Sequence, residues 1–122
     1  MRRVACPIVR QGGRVLAFRH PWAGLQLVKG GIERGERPDR AALRELWEEA
    51  GVTGWAPRAL GRLRTGGLHW HLFAVRTGPL PWRWTHRCAD DGGQDFAFFW
   101  HDPARAAGFH PIFRPVLRRL AR

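Results

Sequence analysis

The chain has 122 residues, of which 44% are hydrophobic and 25% charged, so we expect a single domain, residues 1–122, with its own core. Lysine and arginine outnumber aspartate and glutamate by 21 to 10, a formal net charge of +11. A surface this basic attracts phosphates and other polyanions, and the alternative is a compositional bias of the source genome. Apolar runs stay shorter than a membrane span. The cysteines, Cys6 and Cys88, lack C-x-x-C spacing. Together these features favour a cytoplasmic protein over a membrane protein or a disulfide scaffold.

The first half of the chain is predicted to form strands followed by one helix. The predicted strands are residues 4–9, 14–18 and 25–28. The first two are expected to pair as a hairpin, because the turn signal Gln11-Gly12-Gly13 separates them. A helix is predicted over residues 38–50, since Pro38 suits its first position and Gly51 suits the left-handed position after its last turn.

The second half is predicted to return to strands and to end in helices. The predicted strands are residues 55–60, 68–76 and 95–100. Asp102 and Pro103 are expected to open a short helix that Gly108 closes. The apolar positions of the tail predict an amphipathic C-terminal helix, with Pro115 near its start. Strands interleaved with helices predict a mixed sheet covered by helices, an α+β or α/β sandwich.

Carboxylates are concentrated in and before the predicted helix. All five glutamates of the chain lie between residues 33 and 49, namely Glu33, Glu36, Glu45, Glu48 and Glu49. The last three recur at helical spacing and are expected to share one face. The opposite face is expected to be an apolar stripe of Leu43, Leu46, Trp47 and Ala50. Carboxylates at this spacing repel one another, and only Arg40 and Arg44 are placed to neutralise them. A hard divalent cation prefers such oxygen ligands, so the pattern favours a metal site over a solvated acidic face.

Residues 30 to 52, GGIERGERPDRAALRELWEEAGV, resemble the Nudix box, G-x5-E-x7-R-E-U-x-E-E-x-G-U, in which U is aliphatic. The matching positions are Gly30, Glu36, Arg44, Glu45, Leu46, Glu48, Glu49, Gly51 and Val52. The resemblance implies an α/β fold, an α/β/α sandwich with a mixed β-sheet flanked by helices. It also implies metal-dependent hydrolysis of a nucleoside diphosphate linked to another group.

The resemblance further implies a role for individual residues. Glu45, Glu48 and Glu49 are implied to hold Mg²⁺ or Mn²⁺, with help from a backbone carbonyl near Gly30. Glu45, Glu48 and Arg44 are the implied catalytic residues, and Arg44 is implied to orient a glutamate. The implied roles of Glu36 and Gly51 are structural.

A further carboxylate is expected after the box, because many members of the family carry one there. No glutamate follows the box in this chain, so aspartates are the candidates. Asp95 is preferred, since it opens an apolar strand directly after a glycine turn. Asp90 and Asp91 are the alternatives, although aspartate also favours turns. The general base stays open between Glu45, Glu48 and a metal-bound water.

The motif does not specify which residues bind the substrate. Aromatic rings stack on nucleobases and arginines pair with phosphates, and the candidates are Trp70, Trp82, Arg62 and Arg83. Most tryptophans in so small a domain are nevertheless expected to be packing residues. His69 and His71 are expected to share a strand face, without the third ligand that a zinc site needs.

The expected substrate is a nucleotide-type small molecule. Two alternatives remain open at this point. One is an enzyme that acts on the 5′-triphosphate end of RNA, and the other is a non-catalytic basic module that binds nucleic acid.

Overall fold

The computed structural model describes residues 1–122 except for the side chain of Asp91, and it arranges the strands in two sheets. The strands are β1 (Arg2–Ile8), β2 (Arg10–Gln11), β3 (Arg14–His20), β4 (Gly24–Gln26), β5 (Gly30–Gly31), β6 (Gly54–Thr65), β7 (Leu68–Thr77), β8 (Trp84–Cys88) and β9 (Gln94–His101). The α-helices are α1 (Pro38–Ala50) and α2 (Arg114–Leu120), and a 3₁₀ turn, Pro111–Phe113, leads into α2. Across the described residues, helices long and apolar enough to cross a membrane are absent.

The first sheet is mixed and has the strand order β5-β1-β7-β6. β1 and β7 run parallel in a continuous register from Arg2 opposite Leu68 to Ile8 opposite Ala74. β6 and β7 form a long antiparallel hairpin, and Gly66 and Gly67 supply the positive φ angles that its turn requires. β5 closes the other edge by pairing antiparallel with β1.

The second sheet is antiparallel and has the order β2-β3-β9-β8, with β4 also pairing with β3. Strand β3 is buried on both faces. Val15 and Ala17 point into one apolar cluster, and Leu16 and Phe18 point into another, because successive strand residues face opposite sides. The sheet therefore separates two cores.

The two helices cover different cores. α1 contributes Leu46 and its alanines to the cluster that includes Phe18 and Phe73. α2 contributes Val116, Leu117 and Leu120 to the cluster that includes Trp70. The expected α/β class with a mixed β-sheet flanked by helices is confirmed, and a second sheet is added to it.

The predicted hairpin of residues 4–9 with 14–18 is wrong. Both faces of β1 are buried, so β1 pairs inside the first sheet. The chain then changes sheets at Val9, whose carbonyl accepts the Leu16 N–H at 2.9 Å, and only β2 forms a hairpin with β3.

The predicted helix from Asp102 to Gly108 is also wrong. This segment forms turns: the Asp102 carboxylate accepts the Ala104 N–H at 3.0 Å, and the Gly108 carbonyl accepts the Leu25 N–H of β4 at 3.0 Å. Strand β8 was not predicted from the sequence.

Candidate metal centre

Strand β5 places a glycine directly against a helix carboxylate. Gly30 pairs with Ala5 of β1, and Gly31 pairs with Val4. A Cβ atom at position 30 would overlap the Glu45 carboxyl group, so glycine is required for this close approach. The Glu45 carboxyl is thereby held between strand and helix.

Helix α1 begins and ends where the sequence predicts. Pro38 lies in the first turn, and Gly51 follows the last turn with φ of 70°. The Gly51 N–H donates to the Trp47 carbonyl at 2.9 Å. These ends fix the length of the helix that carries the glutamates.

The buried face of α1 differs from the predicted apolar stripe. The buried side chains are Ala41, Ala42, Glu45, Leu46 and Ala50. Trp47 is 59% exposed, whereas Glu45 is only 7% exposed. At about 100° per residue, Glu45 and Glu49 fall on the side of the two alanines. The prediction that the glutamates lie opposite the apolar face is therefore wrong, and the small alanines leave room for carboxylates at the edge of the core.

Arg44 joins the loop before α1 to carboxylates on the helix. Its Nε and Nη2 atoms donate to the two Glu36 carboxylate oxygens at 2.8 and 2.9 Å. Nη1 donates to Glu45 Oε1 at 2.8 Å and to Glu48 Oε2 at 3.1 Å. Nη2 also donates to the Gly31 carbonyl at 2.9 Å. Bidentate and charge-assisted bonds of this kind fix both position and orientation.

The pKa shifts at this site have opposite signs. The hydrogen bonds from Arg44 lower the pKa of Glu36 below its usual range, and the bonds to Glu36 are the main cause that raises the pKa of Arg44. Desolvation, followed by the neighbouring Glu45 carboxyl, raises the pKa of Glu49 well above its usual range. In this site, the Arg44 guanidinium group pairs with both carboxylate oxygens of Glu36, whereas the Glu49 carboxyl lies beside that of Glu45.

The glutamates open onto a polar cavity of about 460 Å³, which we call the glutamate cavity. Its lining residues are Arg2, Gly31, Ile32, Glu33, Arg44, Glu45, Glu48 and Asp90. The Glu48 side chain is 38% exposed and that of Glu45 is 9% exposed. Glu48 is therefore the more accessible of these two carboxylates to a ligand.

The structure does not bring Asp95 to the glutamate cavity. Asp95 is exposed on β9 and accepts a hydrogen bond from Arg87 Nη1 of β8 at 3.1 Å. The later carboxylate that lines the cavity is Asp90, and its charge also contributes to the raised pKa of Glu49. Asp91 lies outside the described residues. The preference for Asp95 over Asp90 is thus not supported by this geometry, because the pairing of β8 with β9 directs Asp95 toward Arg87.

Within the described part of the chain, no three acidic, His or Cys side chains converge as a ready metal site. The contacts of Arg44 give a reason, since its Nη1 engages an oxygen of both Glu45 and Glu48. The donor chemistry nevertheless fits a hard divalent cation, because carboxylate oxygens are its preferred ligands and the Glu49 carboxyl lies beside that of Glu45. The residues that could hold one are Glu45, Glu48, Glu49 and Asp90, with a carbonyl near Gly30.

The four substrate-binding candidates are not brought together. Trp70 is fully buried, and its Nε1 donates to the Thr65 carbonyl at 3.2 Å, so its prediction as a base platform is wrong. Trp82 is 56% exposed. Arg62 and Arg83 line two other cavities.

Sequence reasoning missed Arg2 and Glu33 as lining residues of the glutamate cavity. Arg2 belongs there because β1 lies next to β5, a pairing that no local pattern encodes. Glu33 belongs to the box segment, but its position in the motif is undefined.

A family model described as the NUDIX domain matches residues 1–120. An RNA pyrophosphohydrolase from Cereibacter sphaeroides is 56% identical over 52 residues, which cover 40% of this chain and 32% of that protein. The chain thus spans about a third or less of the length of such curated relatives.

Solved structures share the fold over nearly the whole chain. A Nudix hydrolase family member from Chromobacterium violaceum has a TM-score of 0.74 and 22% identity, covering 99% of this chain and 77% of that one. A MutT Nudix hydrolase from Burkholderia pseudomallei has a TM-score of 0.69 and 19% identity, covering 97% and 96%. With the complete box, the family model and the shared fold in agreement, the chain belongs to the Nudix hydrolase family.

Proposed function

We propose that this chain is a pyrophosphohydrolase that depends on Mg²⁺ or Mn²⁺ and cleaves a nucleoside diphosphate linked to another group. The observation that carries the proposal is that Glu45, which lines the glutamate cavity, lies directly beside the Glu49 carboxyl, so that a cation bound there would relieve their repulsion. The relatives described as RNA pyrophosphohydrolases and the family itself support the same reaction class.

The residues of the glutamate cavity have separate roles in the proposed reaction. A bound divalent cation supplies neutralisation of phosphate charge and a more acidic water. Arg44 holds Glu45 and Glu48 in position. Arg2, which also lines the cavity, pairs with phosphate oxygens of the substrate. Glu48 or Asp90 accepts the proton of the attacking water.

A substrate screen tests the proposal. The panel contains nucleoside triphosphates, nucleotide sugars, ADP-ribose and 5′-triphosphate RNA, each with Mg²⁺ or Mn²⁺. We expect at least one pyrophosphate bond to be hydrolysed and EDTA to stop the reaction. Glu48→Gln should lower kcat by about 10²-fold or more. Asp102→Asn, which removes an exposed carboxylate outside the cavity, should leave kcat unchanged.

The 5′-triphosphate end of RNA is the second candidate substrate. The net charge of +11 favours a polyanionic substrate, and relatives described as RNA pyrophosphohydrolases point the same way. If RNA is the substrate, kcat/KM for triphosphate RNA should exceed that for the free nucleotide and should fall steeply with salt. Tight RNA binding without hydrolysis of any compound in the panel would instead support the non-catalytic nucleic-acid-binding module.

The buried cysteines support a cytoplasmic location for the proposed enzyme. Cys6 and Cys88 are both free and buried, as is usual for a protein of a reducing compartment.

A further inference from the structure

A basic cluster lies on the face of the first sheet that α1 covers, near the N-terminal end of α1. Arg3 pairs in register with His69, and His69 pairs with Arg64. His71 pairs with Arg62 in the next row. Residues paired across strands share a face, so the five side chains form one patch.

This patch borders a cavity of about 400 Å³, which we call the Arg3 cavity. Its lining residues are Arg3, Arg37, Pro38, Asp39, Ala59, Gly61, Arg62, His71, Leu72 and Phe73. Ala59 and Gly61, which flank an irregularity in the pairing of β6 with β7, are two of these lining residues.

Among the described residues, the arginines of the patch have no acidic partner. Among described residues, neither Arg3, Arg62 nor Arg64 forms an ion pair. Asp39 is the one acid among the described lining residues. It is already engaged, by Arg37 Nη2 at 2.8 Å and by the Arg40 N–H at 2.9 Å.

His71 supplies an independent indication of a ligand. It is 6% exposed and lines the Arg3 cavity. Its Nε2 atom is buried and has no hydrogen-bond partner among the described residues. A buried polar atom without a partner is costly, and because His71 lines the cavity, a bound ligand whose oxygen reaches this atom would remove that cost.

The neutral imidazole of His71 can serve an anion as a hydrogen-bond donor. Burial lowers the pKa of His71, and His69, Arg62 and Arg3 lower it further. The imidazole is therefore neutral near pH 7 and can still donate one N–H to an oxygen.

We propose that the Arg3 cavity binds a phosphate group through the Arg3 and Arg62 guanidinium groups and the His71 imidazole. A tetrahedral oxyanion has enough acceptor oxygens for two guanidinium groups and one N–H donor. Arg3 lines this cavity, whereas the preceding residue, Arg2, lines the glutamate cavity. Pro38 and Glu45 are separated by about 10 Å along α1. The site is thus distinct from the proposed catalytic centre and does not rest on its activity.

The test uses the whole chain in EDTA, so that phosphate cannot bind through a divalent cation. Calorimetric titration and thermal unfolding are measured with inorganic phosphate and, separately, with a short oligoribonucleotide that ends in a 5′-hydroxyl. Chloride at equal ionic strength is the control for screening. We expect phosphate groups to raise Tm where chloride does not.

Variants locate the binding. Arg62→Ala is expected to weaken the Kd at least about tenfold, the usual consequence of losing one charge-assisted bond. Arg58→Ala removes an exposed arginine from the same strand, outside the cavity, and should leave the Kd unchanged.

His71→Leu separates a ligand role from a packing role. This variant should keep or raise Tm without phosphate, because it removes the unpaired atom, and it should abolish most of the rise in Tm with phosphate. If the oligoribonucleotide competes with inorganic phosphate, the cavity binds the phosphodiester groups of a nucleic acid. If only inorganic phosphate binds, the natural ligand is the free ion. The proposal is overturned if neither ligand binds, or if Arg62→Ala and Arg58→Ala behave alike.

Discussion

At the scale of single residues, Arg44 organises the site more than any glutamate does. It bonds two side chains of α1, one side chain of the preceding loop and one carbonyl of β5. The motif identifies this arginine. It does not predict that Arg44 contacts both carboxylate oxygens of Glu36, because residue spacing alone gives no distance across a loop.

Removing this arginine is expected to destabilise the fold. Arg44→Ala leaves the Glu36 and Glu45 carboxylates without their cation and should lower the free energy of unfolding by about 3 kcal/mol. Urea unfolding measures the change. Arg40→Ala, on the exposed side of the same helix, should change stability by less than about 0.5 kcal/mol. Equal effects of the two variants would show that the contacts of Arg44 contribute nothing.

The two aspartates after the box are expected to differ in activity. Asp90→Asn alters a carboxylate of the glutamate cavity and should lower kcat by about 10²–10⁴-fold. Asp95→Asn alters an exposed ion pair with Arg87 and should retain the parent rate. Steady-state kinetics of both variants on the best substrate of the screen measure this difference. A larger loss of kcat in Asp95→Asn than in Asp90→Asn would support Asp95 as the catalytic carboxylate. Sequence alone cannot make this choice, because it depends on the pairing of β8 with β9.

At the scale of elements, local signals predict element ends well and pairing poorly. The bounds of α1 follow from Pro38 and Gly51, which act within one turn. The second sheet and β8 depend on contacts between distant segments, so no local pattern reports them. The rotation of α1 was also mispredicted, because its core contacts are made through Leu46 and the alanines and not through Trp47.

The glycine of β5 is expected to be intolerant of substitution. Gly30→Ala places a Cβ atom against the Glu45 carboxyl, so it should cost about 1–3 kcal/mol of stability and displace Glu45 from the cavity. Thermal unfolding and turnover measure both effects. Gly78→Ala is the matched control, because its added Cβ meets no atom within 4 Å. A Gly30→Ala variant as stable and active as the control would contradict this account.

The Glu49 carboxyl should give the cation-free protein a distinctive pH dependence. The pKa of Glu49 is raised from its ordinary value of 4.5, so the folded state keeps a proton that the unfolded chain has released. Stability therefore falls as the pH rises from about 4.5 toward the raised pKa. Urea unfolding of Glu49→Gln in EDTA should show a flatter profile. Glu33→Gln, at an exposed site (69% side-chain exposure), should follow the parent, and an unchanged slope in Glu49→Gln would count against the shift.

At the scale of the whole molecule, the two cores each contain one thiol. Cys6 lies in the cluster with Trp70, and Cys88 lies in the cluster with Phe18. Composition and the box together were sufficient to predict the class of the fold. They were not sufficient to predict this division into two cores, which follows from a chain that changes sheets at Val9.

Both thiols are expected to report on global unfolding. Burial raises the pKa of Cys6 to about 12, and burial also raises the pKa of Cys88. Since the thiolate is the reactive form, neither should react with a thiol reagent in native buffer. Both should react once denaturant unfolds the chain. Fast labelling of one thiol in native buffer would show that its core opens separately.

The arginines that line the cavities also set how the protein behaves in alkali. Of the 21 basic side chains, only Lys29 is a lysine, and the chain has no tyrosine. Arginine keeps its proton in proteins, so a surface built on arginine stays cationic where a lysine-based surface would discharge. With Cys6 held as a thiol to about pH 12, few groups are left to titrate above neutrality. The electrophoretic mobility of the protein and its attraction for polyanions should therefore stay nearly constant from pH 8 to about pH 10.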